Sequence, residues 1–294
     1  MTTKNDKGLD AQKHAIGTTG HEWDGLEELN NPLPRWWLWT FYATIIWALA
    51  YWVVYPAIPL ATSFTKGVFG WTSREQIVKD LDGLKDLRGP MTAKIEAASL
   101  QDIEKTPELL SFARAQGGAA FAVNCSPCHG AGAQGFKGYP NLNDDDWLWG
   151  GSLDAIHQTL QHGIRWDVDK DTRSSMMPAF GKDGILKPEE ISATADYVRS
   201  LSGLPTDKGV DLAKGGELFA ANCAACHGEK GEGNQDLGAP KLNDKVWLYG
   251  SDKAVITERI HLGGGGVMPA WSTRLDAPTI KSLAVYVHSL GGGQ

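Results

Sequence analysis

The chain has 294 residues, a formal charge of −7 and four cysteines. That length accommodates two compact domains and additional segments, because a domain takes roughly 100–200 residues. Acidic residues outnumber basic ones and no basic run occurs, so the sequence lacks the electrostatic pattern of a nucleic-acid-binding protein, and we expect no nucleic-acid partner.

The first 35 residues form a polar leader of mixed charge. Glycines and prolines interrupt any helical pattern in it, so we predict an irregular arm over residues 1–35. His14 and His21 lie in this leader and belong to no recognisable motif.

An uncharged apolar run extends from Trp36 to Leu60. About 20 apolar residues are enough to cross the hydrocarbon layer as a helix, and tryptophan and tyrosine collect at both ends of the run, as they do at membrane interfaces. We therefore predict a transmembrane anchor over residues 36–60 in a lipid bilayer, closed by Pro56 and Pro59. A cleaved signal peptide is the alternative, but the polar leader is too long for one.

The segment 61–107 carries the weakest pattern in the chain. Apolar residues at helical spacing precede Gly89 and Pro90, which predicts a short amphipathic helix that ends there. A second short helix is predicted from Ile95 to Ile103. The segment is interpreted as a linker with amphipathic helices.

From about residue 108 the sequence repeats itself. Gly117-Gly118 and Phe121 recur as Gly215-Gly216 and Phe219, at an offset of 98 residues. A Met-Pro-Ala-aromatic segment and a Tyr-Val pair near the end of each copy recur as well. The repetition predicts two copies of one domain, over residues 108–204 and 205–294.

Each copy begins and ends with a helical pattern, and no period-two pattern is long enough to compete with it. The predicted fold class is therefore all-α. The linker between the copies is about ten residues long, which keeps the two copies close together.

Each copy contains the pattern Cys-x-x-Cys-His, and together the two patterns use every cysteine of the chain. The residues are Cys125, Cys128 and His129 in the first copy, and Cys223, Cys226 and His227 in the second. This is the pattern of covalent haem c attachment, in which two thiols on one turn bind the haem vinyl groups and the adjacent histidine reaches the iron. We predict two covalently bound haems c.

A second iron ligand is expected later in each copy. Met177 and Met268 each stand immediately before a proline, which removes an N–H and stiffens the loop that carries the thioether. Methionine opposite histidine raises the haem potential and suits electron transfer. Met176 is the alternative to Met177, and His162 or His261 would give a bis-histidine haem. Whether each methionine serves its own copy or the other one stays open.

Two other uses of paired cysteines fit less well. A structural zinc site normally combines both cysteine pairs in one small domain, whereas about 95 residues separate them here. Dithiol redox activity explains neither the histidines nor the Met-Pro segments.

Three features occur together: residues 21–37, with the sequence HEWDGLEELNNPLPRWW, a single anchor that ends at Tyr55-Pro56, and the tandem motifs. In this combination the chain resembles the dihaem cytochrome c subunit, subunit III, of cbb3-type (C-type) haem-copper oxidases. The resemblance covers nearly the whole chain, and the leader is its specific part. It implies one N-terminal transmembrane helix followed by two tandem class I cytochrome c domains, whose first and last helices pack together. The matching positions are Gly117, Phe121, Gly215 and Phe219 on first helices, and Tyr197 and Tyr286 on last helices.

The resemblance also implies an electron-transfer role in aerobic respiration, with no catalytic residue in this chain. Electrons would come from a soluble or membrane-bound donor cytochrome c and pass to the monohaem cytochrome c subunit and then to the catalytic haem-copper subunit. Two alternatives are a membrane-anchored dihaem shuttle for another periplasmic redox complex and a dihaem peroxidase or haem sensor, which would need an open iron position.

The compartment follows from the chemistry of attachment. Haem is joined to Cys-x-x-Cys-His motifs on the exported side of the bacterial inner membrane. The leader is therefore expected in the cytoplasm, and the linker and both haem domains in the periplasm. The few charges that flank the anchor are too evenly spread to test this orientation.

Overall fold

A computed structural model describes residues 16–292, which are helix-rich. They divide between Lys85 and Asp86 into two compact units. The helices are α1 Arg35–Val54, α2 Ser73–Ala97, α3 Leu100–Lys105, α4 Pro107–Asn124, α5 Ser126–His129, α6 Leu153–His162, α7 Pro188–Leu201, α8 Leu212–Asn222, α9 Ala224–His227, α10 Lys253–Leu262 and α11 Ala277–His288. His14 lies outside the described residues.

The leader is not wholly irregular, which corrects both the prediction for residues 1–35 and the all-α assignment. Strands β1 Thr18–Trp23 and β2 Leu26–Leu29 form an antiparallel hairpin. The two residues between them, Asp24 and Gly25, have positive φ angles of 49° and 83°. Asp-Gly is a strong signal for a two-residue hairpin turn, because both positions favour that backbone region.

Helix α1 is the membrane-anchor candidate, and none of its residues is buried in the protein. Among the described residues it is the helix long and apolar enough to cross a membrane. The predicted anchor continued to Leu60, whereas the helix ends at Val54. Tyr55 is extended, with φ −113° and ψ 162°, because the residue before a proline is disfavoured in helical conformation.

Helix α2 runs through the Gly89-Pro90 pair that was predicted to end it. Proline removes one backbone hydrogen bond from a helix interior and leaves a carbonyl unpaired. Pro90 is exposed, and so is Asp86, the residue whose carbonyl loses its partner, so water can satisfy that group. The break comes instead at Ser99, whose hydroxyl accepts a hydrogen bond from the Asp102 N–H and begins α3.

The two repeats exchange their last helices. Helix α4, the first helix of repeat one, packs against α11, the last helix of repeat two, and α7 packs against α8. We call α3 to α6 with α11 body I, and α7 to α10 body II. Body II is therefore continuous in sequence, and body I is built from the segments on either side of it.

The helix contacts at the two exchanged interfaces are equivalent. An added Cβ on Gly117 of α4 would lie 2.6 Å from Cβ of Tyr286, and one on Gly215 of α8 would lie 2.9 Å from Cβ of Tyr197. The resemblance implied that these first-helix and last-helix positions meet, and they do, but each contact joins two different repeats. Because both interfaces use the same residue pattern, the short linker between α7 and α8 can favour the local pairing.

Candidate haem sites

The two Cys-x-x-Cys-His motifs have the same local geometry. In body I, the chain leaves α4 at Cys125 and enters the single turn α5, so that the His129 N–H donates to the Cys125 carbonyl at 2.9 Å. Cys125 is buried in the core and Cys128 is exposed. The motif of body II repeats this arrangement, with Cys223 buried and Cys226 exposed. In each body one thiol faces the core and the other the surface.

The histidine of each motif is held by a hydrogen bond to a proline carbonyl. Nδ1 of His129 lies 3.0 Å from the oxygen of Pro140, and Nδ1 of His227 lies 2.9 Å from that of Pro240. A carbonyl can only accept, so Nδ1 must carry the proton. The neutral ring then presents an unprotonated Nε2, which is the atom an iron would bind.

Burial also keeps these two imidazoles neutral. It lowers the pKa of His129 and of His227, since desolvation penalises the charged ring more than the carbonyl hydrogen bond stabilises it. A neutral imidazole is the form that ligates a metal.

Burial has the opposite effect on the core-facing thiols. It raises the pKa of Cys125 and of Cys223 to about 11, and the neighbouring cysteine of each pair adds to the shift. All four cysteines are free. Zinc binding and dithiol exchange need thiolates, whereas the thioether formed on haem attachment carries no charge. Thioether formation is therefore the chemistry that these buried positions accommodate best.

The structure places each Met-Pro segment in the body that holds the other repeat's motif. Met268 packs against the core of body I, which contains Cys125, and Met177 packs against the core of body II, which contains Cys223. The backbone of each methionine also forms hydrogen bonds with the other repeat. Ile164 and Met268 exchange two N–H···O bonds of 2.9 Å, and the Gly264 N–H donates to the Met177 carbonyl at 2.8 Å.

Two glycines allow these close backbone approaches. Gly163 ends α6 with φ +68°, and an added Cβ would lie 2.3 Å from the carbonyl oxygen of Met268. Gly263 ends α10 with φ +61°, and its Cβ would lie 2.3 Å from the carbonyl oxygen of Pro178. A larger residue would push the methionine segment away from the core that it contacts.

The competing iron ligands are placed elsewhere. Met176 is 60% exposed, whereas Met177 packs against the core. Nδ1 of His162 lies 3.1 Å from the carboxylate of Asp169. His261 is exposed, and its carbonyl accepts the N–H groups of Gly181 and Lys182. Neither histidine belongs to the cores that contain Cys125 and Cys223.

Three family models match separate parts of the chain. Residues 16–62 match the N-terminal domain of cytochrome oxidase-cbb3, FixP, and residues 115–202 match cytochrome c. Residues 210–287 match cytochrome c oxidase, cbb3-type, subunit III. The two cytochrome matches coincide with the two sequence repeats.

Similar proteins extend over almost the whole chain. The cbb3-type cytochrome c oxidase subunit FixP of Bradyrhizobium diazoefficiens is 60% identical over 94% of this chain and 95% of its own length. FixP of Azorhizobium caulinodans is 61% identical over 94% of each chain, and the subunit CcoP of Cereibacter sphaeroides is 49% identical over 94% of this chain and 95% of its own. The chain belongs to the FixP/CcoP family of cbb3-type cytochrome c oxidase subunits.

As a FixP/CcoP subunit with two cytochrome c domains, the chain is a haem c protein of electron transport, and α1 fits a membrane anchor. The residues present fit that cofactor, because each body combines a neutral histidine, one buried and one exposed thiol and a methionine against the same core. Sequence reasoning missed Pro140 and Pro240, which hold the histidines. Their recurrence at an offset of 100 residues was the available signal.

Proposed function

We propose that this FixP/CcoP chain carries electrons into a cbb3-type oxidase through two covalently attached haems c. One is joined to Cys125 and Cys128 and the other to Cys223 and Cys226. Family membership makes the chain an electron-transfer subunit of the oxidase. The observation that carries the proposal is the recurrence, in both bodies, of a buried thiol, an exposed thiol and a histidine whose Nδ1 is bound to a carbonyl.

The axial ligands are proposed to cross between repeats. His129 and Met268 would ligate the first iron, and His227 and Met177 the second. The packing of each methionine against the core that contains the other repeat's cysteines supports this assignment. The alternative, in which each methionine serves its own repeat, would require both Met-Pro segments to leave the cores that they contact.

A bound haem would supply one-electron redox chemistry through its iron. The chain's own residues determine what else the site can do. With both the imidazole and the thioether as ligands, the iron would have no open position for a substrate, which favours a carrier over a peroxidase or a sensor. The Pro140 and Pro240 carbonyls orient the imidazoles and increase their basicity.

The partners and the orientation form part of the same proposal. Helix α1 would lie in the bacterial inner membrane, with the leader in the cytoplasm and residues 61–294 in the periplasm. The haem domains would accept electrons from a soluble or membrane-bound donor cytochrome c. They would pass them to the monohaem cytochrome c subunit and then to the catalytic haem-copper subunit.

The attachment proposal is tested by counting haems on the purified chain after denaturing extraction. We expect two haems per polypeptide, one after Cys125→Ala with Cys128→Ala, and no carbon monoxide binding to the reduced intact protein. Pigment that is extracted completely under these conditions, or zinc in its place, would contradict the proposal. Carbon monoxide binding would instead support a peroxidase or sensor.

A second experiment separates the oxidase from another redox complex. An affinity-tagged chain is purified from mild-detergent membranes and the metals that accompany it are measured. We expect a multi-haem, copper-containing assembly with oxygen-reducing activity. Recovery with a different, copper-free dehydrogenase would support the shuttle.

A further inference from the structure

One arginine side chain joins the two Met-Pro segments. Nε of Arg165 donates to the carbonyl of Gly266 at 2.7 Å, and Nη1 donates to the carbonyl of Ser175 at 2.6 Å. Gly266 lies two residues before Met268, and Ser175 lies two residues before Met177. The two carbonyls therefore occupy equivalent positions of the two repeats, and a single guanidinium binds both of them.

The repeats are used alike around this contact except at one position. Ile164 and Gly264 are equivalent residues, and the N–H of each donates to the carbonyl of the methionine in the other repeat. The residues that follow them are Arg165 and Gly265, which meet each other. A Cβ on Gly265 would lie 2.6 Å from the guanidinium carbon of Arg165. Glycine in repeat two thus leaves the space that the arginine of repeat one fills.

Arg165 has an unusual backbone conformation. Its φ is +52°, in the left-handed region that residues other than glycine rarely adopt. Its N–H donates to the carbonyl of Arg173 at 2.6 Å, which fixes the loop between α6 and Met177. Residues in such conformations persist where the surrounding structure requires them, and they are frequent at functional sites. A glycine would suit this backbone better, so we infer that the side chain is what the position requires.

The two carbonyls depend on the Arg165 side chain. No backbone N–H of the described residues donates to the oxygen of Gly266 or of Ser175. A guanidinium offers several donors in one rigid plane, and its charge strengthens the hydrogen bonds that it forms. The ring centre of Trp149 lies 6.0 Å from the guanidinium carbon, at the outer limit of a cation–π contact, so the carbonyls are the principal partners.

We propose that Arg165 is a positioning residue for both haems. By binding the carbonyls of Gly266 and Ser175, it holds Met268 and Met177 where they ligate the two irons. The inference rests on the proposed methionine ligation, but it is independent of which iron each methionine serves. Because one side chain holds both segments, its loss should weaken both iron–sulfur bonds at once.

The test displaces the methionines with imidazole in the purified ferric holoprotein, and the far-red band of methionine-ligated haem reports the fraction that stays ligated. Arg165→Met keeps the length of the side chain and removes the donors. We expect its whole band to disappear at an imidazole concentration about tenfold lower, because two charge-assisted hydrogen bonds are lost. Both redox potentials should shift negative, since methionine ligation raises them, and the haem content should stay the same.

Gly265→Ala tests the position of the guanidinium without removing its charge. The added Cβ meets the end of a flexible side chain, so it should displace the guanidinium and leave the backbone in place. We expect the same change as in Arg165→Met. This variant replaces Arg165→Met if the latter does not fold.

The matched control is Arg274→Met. Arg274 also follows a Met-Pro segment and lies near an aromatic ring, 5.2 Å from the centre of Trp271. It is exposed, however, and among the described residues it donates to neither of the two carbonyls. Its band should disappear at the same imidazole concentration as that of the unmodified chain.

Two results would overturn the inference. One is a folded Arg165→Met or Gly265→Ala that loses its band at the same imidazole concentration as Arg274→Met. The other is a band of which only half is lost at lower concentration, because Arg165 would then hold one methionine and not both. Failure of the proposed ligation looks different, since the unmodified ferric holoprotein would then lack the far-red band altogether.

Discussion

At the residue scale, a fully buried carboxylate distinguishes body II from body I. Asp196 of α7 is 0% exposed, and Nζ of Lys253, at the start of α10, lies 2.6 Å from it. The same Nζ lies 2.6 Å from the exposed Asp207. The equivalent positions in body I are Val285 and Leu153, which are both buried in its core. An ion pair therefore occupies, at one of two related helix junctions, positions that are apolar and buried at the other.

We predict that Lys253→Met destabilises the protein by about 3–5 kcal/mol, because it leaves the Asp196 charge buried and unpaired. Replacing both residues by their body I equivalents, Asp196→Val with Lys253→Leu, should recover more than half of that loss, as buried pairs are often replaceable by apolar residues. Denaturant unfolding of the detergent-solubilised chain measures both effects. A double variant no more stable than Lys253→Met would contradict this explanation.

A carboxylate at the boundary of the two bodies makes stability depend on pH. Burial raises the pKa of Asp146 from 3.8 to about 6, and the charges of Asp244 and Asp144 add to the shift, while Lys241 opposes it. The folded state then binds more protons than the unfolded state between these values, so this group lowers stability as pH rises through that window, and the full penalty persists above it.

We therefore predict that Asp146→Asn is more stable than the unmodified chain above pH 6 and equally stable below the ordinary pKa of 3.8. Thermal unfolding midpoints of both proteins across that range provide the measurement. A difference that does not change with pH would show that the carboxylate is not desolvated.

At the scale of elements, the contact of first and last helices depends on glycine. Gly117 lies on the face of α4 that meets α11, where an added Cβ would lie 2.3 Å from the carbonyl of Ser282. We predict that Gly117→Ala separates the helices and costs about 1–3 kcal/mol of stability.

Gly83 of α2 is the matched control for Gly117→Ala. An added Cβ there meets nothing within 4 Å. Alanine favours a helix interior by about 1 kcal/mol over glycine, so Gly83→Ala should leave stability unchanged or raise it. The unfolding free energies of the two variants are compared directly, and equal effects would rule out a close helix contact at Gly117.

Local sequence signals predicted some helices and strands correctly and missed others. The anchor and the helices of each repeat follow from apolar runs and helical periodicity, which are properties of single segments. The hairpin was missed although Asp24-Gly25 marks its turn, because its strands are mostly exposed and show no apolar alternation. The predicted end of α2 was wrong, because Gly89-Pro90 weakens a helix without ending it when water can solvate the freed carbonyl.

At the scale of the whole molecule, the haem-binding motifs could be predicted from the sequence. Which segments of the two repeats fold together into one body could not. The cysteines, histidines and methionines of both repeats are readable from the chain because their chemistry needs fixed residue types at fixed spacing. The two repeats present the same glycine, phenylalanine and tyrosine at the helix interface, so the sequence pattern fits pairing within a repeat or between repeats equally well. Only the folded chain, in which body I encloses body II in sequence, distinguishes the two.

A chain with a single haem shows which methionine ligates each iron. Cys223→Ala with Cys226→Ala leaves only the haem at Cys125 and Cys128, and the far-red absorption band of a methionine-ligated ferric haem reports its axial ligand. We predict that adding Met268→Ala abolishes this band and adding Met177→Ala preserves it. Loss of the band with Met177→Ala and its survival with Met268→Ala would contradict the exchange of ligands between the repeats.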